Sequence, residues 1–272
     1  MPQLSVVIAT LHRPALVVEA IHSALRQPGP SLEVLVIDDD PQGSARDVVE
    51  KLAAADPAGR VRYFARGEPS GGFPAVVYND GLARAQGKYV LFLDDDDQAL
   101  PGAFATLAGV LEQRPQDAFI FGLVEPFGGT PEAMIHETAF FLDAAARARA
   151  AVHNQVRFLR AQLFFGGTLF VTSSAMFRRE LLLKAGGFDP RIRINAQLDL
   201  AARLARDHRW SLVDEKVVRY RIQPDSLMHD QRNQPDLDRS YLEMHRKLRQ
   251  ELGLLGYAWF RLYAKRMLSE RG

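Results

Sequence analysis

The first half of the chain alternates short apolar runs with segments of helical periodicity. The apolar runs predict buried strands at residues 4–9, 32–38, 61–65, 88–94 and 118–127. The amphipathic segments between them predict helices at residues 13–27, 44–55, 74–86 and 101–113. Strands that alternate with helices in this way favour an α/β fold, with a mostly parallel sheet covered on both faces.

The second half is less regular. Residues 128–160 are rich in Ala and predict helix in parts, and residues 161–177 predict a loop followed by a strand. Residues 210–222 predict two short strands, and the tail from Pro235 predicts helix. The first half therefore defines the sheet more clearly than the second half does.

Composition narrows the class of protein. The 272 residues include 47% hydrophobic and 25% charged residues with a net charge of +1, so we expect a globular protein without a nucleic-acid partner. The chain has no Cys, which excludes disulfides, thiolate metal sites and cysteine nucleophiles. Its start does not resemble a signal peptide, and no apolar run approaches the roughly 20 residues that span a bilayer. We therefore expect a cytoplasmic protein, at most peripheral to the inner face of the membrane.

Two groups of carboxylates follow predicted strands. Residues 38–40 are three Asp at the end of the second strand, and residues 94–97 are four Asp at the end of the fourth. Because ligands bind at the carboxyl ends of parallel strands, both groups should lie along one rim of the sheet. Like charges at this spacing repel, so each group needs a cation or water nearby.

The Asp quartet has three interpretations. One or two carboxylates could favour the positive end of the following helix. A Ca²⁺ loop would need a Gly and a distal Glu that are missing. Alternatively, Asp94 and Asp96 bind Mg²⁺ or Mn²⁺ that bridges to substrate phosphates. For Asp38 and Asp39 the plain alternative is a turn after a strand.

The motifs, taken in order, resemble the family 2 glycosyltransferases, which have the GT-A fold. The resemblance covers roughly residues 4–226 and rests on the segments "VVIATLHRP", "VLVIDDDPQGS", "SGGFPAVVYNDGLARAQGKYVLFLDDDD" and "AMFRRELLLKAGGFDP". The residues that match family motifs are Thr10, Arg13, Pro14, Asp38, Asp39, Gly71, Gly72, Asn79, Gly81, Leu93, Asp94, Asp96, Asp97 and Pro101.

The resemblance implies a GT-A-like (Rossmann-like) domain at residues 1–230, with a nucleotide-binding half at 1–127 and an acceptor half at 128–230. A helical C-terminal extension would follow at residues 231–272. The implied activity transfers a sugar from a nucleotide-sugar, here a UDP-sugar, to a carbohydrate, lipid-linked or other hydroxyl acceptor. It would use Mg²⁺ or Mn²⁺ and invert the anomeric carbon.

The resemblance also implies roles for single residues. Asp39 or Asp38 would accept a hydrogen bond from the nucleobase, and Thr10 would flank the base. Asp94 would contact the ribose or the metal. The remaining implied donor-binding residues are Arg13, Gly72, Tyr78, Asn79 and Asp95, and the implied metal ligands are Asp94, Asp96 and His229.

The chain departs from the family pattern at the catalytic base. An inverting transferase needs a group that deprotonates the acceptor hydroxyl, and the family uses an Asp where this chain has Gln197. A register shift could bring Asp199 into the site, or Asp189, His229 or Asp230 could act instead. We favour the plainer interpretation of Asp199, a helical ion pair with Arg203 at i+4.

Other departures keep rival functions open. Tyr78 stands where the family usually has a phosphate-binding Arg, and Gln223 stands where it has a His that His229 could replace. The first rival is a degenerate protein that binds nucleotide-sugar without turnover. The second is a nucleotidyltransferase, which needs a Gly-rich basic loop that "ATLHRPALV" does not provide. The tail "YAWFRLYAKRM" fits a membrane-surface helix, but we favour a helix that caps the domain or pairs two subunits.

Overall fold

A mixed sheet organises the structure. The computed structural model describes residues 2–152, 156–223 and 231–269. In these residues the sheet has the strand order β3-β2-β1-β4-β7-β6-β8-β5. The strands are β1 (Leu4–Thr10), β2 (Leu32–Asp38), β3 (Val61–Ala65), β4 (Tyr89–Asp94), β5 (Gln98–Ala99), β6 (Asp117–Phe127), β7 (Ala175–Arg178) and β8 (Arg209–Arg221).

Helices cover both faces of the sheet. They are α1 (Pro14–Leu25), α2 (Arg46–Ala55), α3 (Pro74–Arg84), α4 (Ala103–Gln113), α5 (Pro131–Val152), α6 (Val156–Ala161), α7 (Arg179–Lys184), α8 (Ala196–Asp207) and α9 (Gln234–Ser269). Short helical turns of other types lie at Gln162–Gly166, Thr172–Ser174 and Gln231–Asn233. Helix α9 is broken at Gly253, whose φ of 69° is not helical. None of the helices in the described ranges combines the length and apolar character needed to cross a bilayer.

The period of two along the central strands divides the core into two layers. On β1, Val7 packs into the layer that contains Phe92, whereas Val6 and Ile8 pack into the opposite layer with Leu91. Successive side chains of a strand point to opposite faces, so a continuous apolar run fills both layers. This explains why the buried strands lack an apolar–polar alternation.

The prediction of an α/β sheet flanked by helices, with a helix at the C-terminus, is confirmed. Strands β3, β2, β1 and β4 are parallel, as expected for their helical crossovers. The second half of the sheet mixes the two kinds of pairing, and β6 is parallel to β8. There β7 is antiparallel to both of its neighbours, and β5 is antiparallel to β8.

Two local predictions in the second half were wrong. The pattern at 210–222 predicted two strands, but β8 is one strand whose pairing with β6 shifts between Val213 and Lys216. Such a shift resembles a turn in sequence while the strand continues. Residues 162–166 form a helical turn instead of a loop. The prediction of helix in parts of the Ala-rich region is confirmed by α5 and α6.

One glycine allows a helix to approach the sheet closely. Gly81 lies within α3, and a Cβ built on it would be 2.2 Å from Cγ1 of Val7 on β1. Any larger residue there would push α3 away from the sheet. Because α3 carries Tyr78, this approach also fixes a wall of the cavity described next.

Candidate active site

A cavity of about 550 Å³ opens at the carboxyl ends of the parallel strands. Its near wall includes Thr10 at the end of β1, Asp39 directly after β2, and Asp94 to Asp96 at the end of β4. Its far wall comes from α5, the start of α8 and the end of β8. The two predicted acidic groups therefore meet at one rim, where ligands of open α/β sheets bind.

The Asp quartet is divided among different partners. Tyr78 donates a short hydrogen bond to Oδ1 of Asp94. Thr10 donates to Asp95 with an Oγ1–Oδ2 distance of 2.7 Å. Arg13 lies 2.9 Å from Oδ2 of Asp96 and 3.3 Å from Oδ1 of Asp95. Part of the negative charge is therefore balanced within the protein, by one guanidinium and two hydroxyl donors.

Asp97 points away from the cavity. It is 1% exposed, and its Oδ1 accepts a hydrogen bond of 3.1 Å from the backbone N–H of Arg221. Burial and the charges of Asp96 and Asp94 raise its pKa well above the usual range. Asp97 thus attaches the loop after β4 to β8, whereas the first three Asp face the cavity.

The three cavity-facing Asp hold raised pKa values. Burial first, and then the charge of Asp96, raise the pKa of Asp94 to about 7 and that of Asp95 to about 6. Burial also raises the pKa of Asp96, although Arg13 opposes this effect. Each of these carboxylates would gain from a further positive charge, because a nearby cation favours the ionised form.

The donor set fits a cation that is shared with substrate. Within the described residues, no three His, Cys, Asp or Glu are arranged to hold a metal ion. Asp94 and Asp96 nevertheless both line the cavity as hard oxygen donors, and Mg²⁺ is typically bound by one or two carboxylates plus phosphates. The third predicted ligand, His229, lies outside the described residues.

The amide of Gln223 lies near the same rim. Its Nε2 is 3.4 Å from Oδ2 of Asp96. The amide can donate to Asp96, but it brings no imidazole nitrogen to a metal. That His229 replaces the family His stays a prediction.

Asp38, the alternative to Asp39 in the predicted base contact, does not line the cavity. Its carboxylate accepts hydrogen bonds from the backbone N–H of Ala45 at 2.9 Å and from the hydroxyl of Tyr63 at 2.8 Å. It also accepts one from the N–H of Asp40 at 3.1 Å. Asp38 is fully buried and holds the loop between β2 and α2.

Asp39 is the member of that group that faces the cavity. Its two oxygens accept hydrogen bonds from the N–H and the hydroxyl of Ser70, at 2.8 and 2.5 Å. Arg66 lies 3.0 Å from Oδ1. Asp39 therefore connects the end of β2 with the loop that leads to Gly72.

Gly72 also lines the cavity, and an arginine from the second half holds it. Arg193 donates to the carbonyl of Gly72 at 2.9 Å, and it forms a short ion pair with Asp236 in the first turn of α9. Gly72 has a φ of +81°, a conformation that favours glycine. The sequence interpretation missed Arg193, which lies in no predicted motif.

Asn79, a predicted donor-binding residue, bonds within the protein. Its side-chain amide bonds both to the carbonyl and to the N–H of Phe188, each at 2.8 Å. Both ends of the amide are occupied, and Asn79 does not line the cavity. It joins α3 to the loop after α7, and the adjacent Tyr78 contacts the ring of Phe188 at a centroid distance of 5.2 Å.

The family base position and Asp199 lie in different environments. Gln197 lines the cavity, and its Nε2 is 3.3 Å from Oδ1 of Asn195. Asp199 is 2% exposed, and it accepts from Arg203 at 2.8 Å and from Lys247 at 2.5 Å. The ion-pair interpretation of Asp199 agrees with this geometry, and a catalytic role for Asp199 does not.

The far wall contains residues that the sequence interpretation missed. Glu137 and His136 on α5 line the cavity, as do Tyr220 and Arg221 at the end of β8. Glu137 is 6% exposed, so a carboxylate occupies an otherwise apolar helix face. The sequence spacing could have shown that Glu137 is buried, because Glu137, Phe141 and Ala144 recur at the helical period and all lie on the buried face of α5.

Known proteins are similar to this chain in sequence. A sequence model of the family described as glycosyl transferase family 2 matches residues 5–186. A β-1,3-glucosyltransferase of Campylobacter jejuni that acts on GalNAc(5)-diNAcBac-PP-undecaprenol is 40% identical over 107 residues, which cover 39% of this chain and 34% of that protein. The succinoglycan biosynthesis protein ExoO of Rhizobium meliloti is 36% identical over 100 residues, 37% of this chain and 27% of that protein. The chain thus matches only about a third of these relatives or less.

Solved structures show the same fold. Residues 1–349 of TarS from S. aureus, in complex with UDP-GlcNAc, align with a TM-score of 0.68 and 18% identity, over 98% of this chain and 71% of that one. The mannosyltransferase PcManGT from Pyrobaculum calidifontis, in complex with GDP-Man and Mn²⁺, aligns with a TM-score of 0.60 and 17% identity, over 99% of this chain and 74% of that one. The family model covers about two thirds of the chain, so the chain belongs to glycosyl transferase family 2, and the structural matches show that it has the GT-A fold.

Proposed function

We propose that the protein transfers a sugar from a UDP-sugar to a hydroxyl group of a carbohydrate or lipid-linked acceptor, with Mg²⁺ or Mn²⁺ and with inversion. The observation that carries this proposal is that Asp39 and the cavity-facing Asp94 to Asp96 share one cavity. One group suits the nucleobase, and the other suits the charged diphosphate through a cation.

The near wall supports donor binding. The Asp39 carboxylate can accept from the N–H edge of uracil, and the loop that follows Thr10 flanks the same space. Asp94 and Asp96 would hold the metal, which supplies positive charge that stabilises the leaving diphosphate when it is bound. Arg13, Arg193 and Arg221 also line the cavity, and they supply the cationic character that Tyr78 does not.

Two comparisons support the choice of substrates. TarS was solved with UDP and with UDP-GlcNAc, which favours a uridine donor. The Campylobacter relative is named for an acceptor on a polyprenyl diphosphate, which favours a lipid-linked acceptor. GDP-mannose is the competing donor, because PcManGT was solved with it and Asp39 could also accept from guanine.

A donor panel tests the proposal. UDP, UDP-GlcNAc, UDP-glucose and GDP-mannose would be titrated calorimetrically against the protein, with Mn²⁺ and then with EDTA. Release of nucleoside diphosphate would be followed in parallel. We expect uridine donors to bind with Mn²⁺ and to be turned over, and we expect EDTA to abolish turnover.

A matched pair of variants locates the binding. Asp39→Asn should weaken UDP binding by about tenfold or more, because the amide presents a donor to the base N–H. Glu68→Gln removes an exposed carboxylate of the neighbouring loop and should leave binding unchanged. Tight binding without turnover would instead favour a nucleotide-sugar-binding protein, and preference for GDP-mannose would overturn the uridine assignment.

A further inference from the structure

The acceptor hydroxyl needs a base that the family position does not provide. This question rests on the proposed function, because only a sugar transfer requires the proton to be removed. At the family position the cavity presents the amide of Gln197. An amide has no basic site near neutral pH, so Gln197 cannot take the proton.

The carboxylates next to Gln197 in the fold are already used. Asp199 is buried between Arg203 and Lys247 and does not line the cavity. Asp189 accepts from Arg191 at 2.7 Å and from Lys247 at 3.0 Å. Burial acts to raise the pKa of Asp189, but these hydrogen bonds outweigh it and lower that pKa far below its usual range. Neither group is placed to accept a proton from an acceptor.

Glu137 is different in its position. In the described part of the chain, the carboxylates that line the cavity are Asp39, Asp94, Asp95, Asp96 and Glu137. The four Asp belong to the rim that suits nucleotide and metal. Glu137 lies on α5, in the far wall that also contains Gln197.

Glu137 is buried in the wall of the cavity. Its side chain is 7% exposed, whereas that of the adjacent His136 is 79% exposed. Tyr220 lines the same cavity, and burial first, then the charges of Asp97, Asp96, Glu137 and Asp94, raise its pKa well above the usual range. The ring of Phe141, one turn after Glu137, lies 5.3 Å from the ring of Tyr220.

We propose that Glu137 is the catalytic base of this transferase. Its carboxylate takes the proton of the acceptor hydroxyl while that oxygen attacks the anomeric carbon of the donor sugar. The bond between this carbon and the diphosphate oxygen breaks, and its electron pair leaves with UDP. The protonated Glu137 then returns its proton to water. His136, with Nδ1 at 3.3 Å from Oε1 of Glu137, lies at the entrance as a neighbour of the base.

The test uses water as the acceptor, so it needs no knowledge of the natural one. UDP release from saturating UDP-GlcNAc with Mn²⁺ gives kcat, and calorimetry with UDP gives Kd. We expect Glu137→Gln to lower kcat by about 100- to 10,000-fold and to leave the Kd of UDP within about twofold. Glu132→Gln, an exposed substitution on the same helix, should change neither value.

A second variant separates the lost base from a damaged fold. Adding Gln197→Asp to Glu137→Gln places a carboxylate at the family position and should restore part of kcat. Unchanged kcat in Glu137→Gln would overturn the proposal. So would a loss of UDP binding in that variant, or a larger loss of kcat in His136→Gln. If the unmodified protein binds UDP but never releases it from any donor, the proposed function itself fails, and the base fails with it.

Discussion

Because the pKa of Asp94 is raised, we expect Asp94→Asn to increase the free energy of unfolding and to weaken the response to Mn²⁺ with UDP. Asp94→Asn keeps the shape of the side chain and removes its charge. Tyr78 can still donate to the amide oxygen, and the backbone N–H of Asp94 keeps its bond of 3.0 Å to the hydroxyl of Ser173. The substitution therefore tests the charge with few other changes.

The magnitude follows from proton linkage. The pKa of Asp94 is about 7 in the folded protein, against a reference value of 3.8. Between these values the folded state holds a proton that the unfolded state releases, so stability falls as pH rises, by about 1.4 kcal/mol per pH unit. Above pH 7 the shifted pKa of Asp94 lowers the free energy of unfolding by about 4 kcal/mol in total. Asparagine does not ionise, so Asp94→Asn avoids this destabilisation. Its gain in the free energy of unfolding over the unmodified protein should be about 2 kcal/mol larger at pH 8 than at pH 5.5.

Urea denaturation with EDTA at these two pH values measures the gain. Mn²⁺ with UDP should then stabilise the unmodified protein and have little effect on Asp94→Asn, which has lost a candidate ligand. Asp97→Asn is the matched control, because Asp97 is a buried neighbour outside the cavity and should keep the Mn²⁺-dependent response. A gain that is equal at both pH values, or a variant less stable at pH 8, would refute the reasoning.

The remaining predictions concern packing and buried charge. Gly81→Ala should lower the free energy of unfolding by about 1–3 kcal/mol, because the new Cβ would overlap Val7. Gly109→Ala in α4 is the control, because its Cβ would meet open space, and it should raise the free energy of unfolding by up to about 1 kcal/mol. Thermal melts compare the two variants. Lys247→Met should cost about 1–3 kcal/mol at neutral pH, because it removes a donor from two buried carboxylates, while the exposed Lys265→Met should be neutral. Equal melting temperatures for the two glycine variants would contradict the predicted overlap with Val7. Equal melting temperatures for the two lysine variants would contradict the predicted role of Lys247.

The near wall could be predicted from the sequence because strand order and strand ends are local properties. The apolar runs before Asp39 and Asp94 define where each strand stops, and parallel strands bring those ends to one edge. The far wall could not be predicted in this way. Its residues come from α5 and β8, and their approach depends on the curvature of the sheet and on the antiparallel strands of the second half.

Motif matching also could not show which polar groups are used internally. Asp38 and Asn79 match family motifs as well as Asp39 does, yet neither lines the cavity, and both hold other segments of the chain by hydrogen bonds. The partners, Ala45, Tyr63 and Phe188, are 7 to 109 residues away along the chain. Only the tertiary contacts show that these two side chains hold loops in place, whereas Asp39 faces the cavity.

The double contact of Arg193 has a consequence for regulation. One guanidinium holds the Gly72 carbonyl at the nucleotide side of the cavity and the Asp236 carboxylate at the first turn of α9. Whatever displaces that turn, whether truncation of the tail or a partner that binds there, withdraws a support from the donor loop. The residence time of a nucleotide-sugar in the cavity would then depend on the position of the first turn of α9.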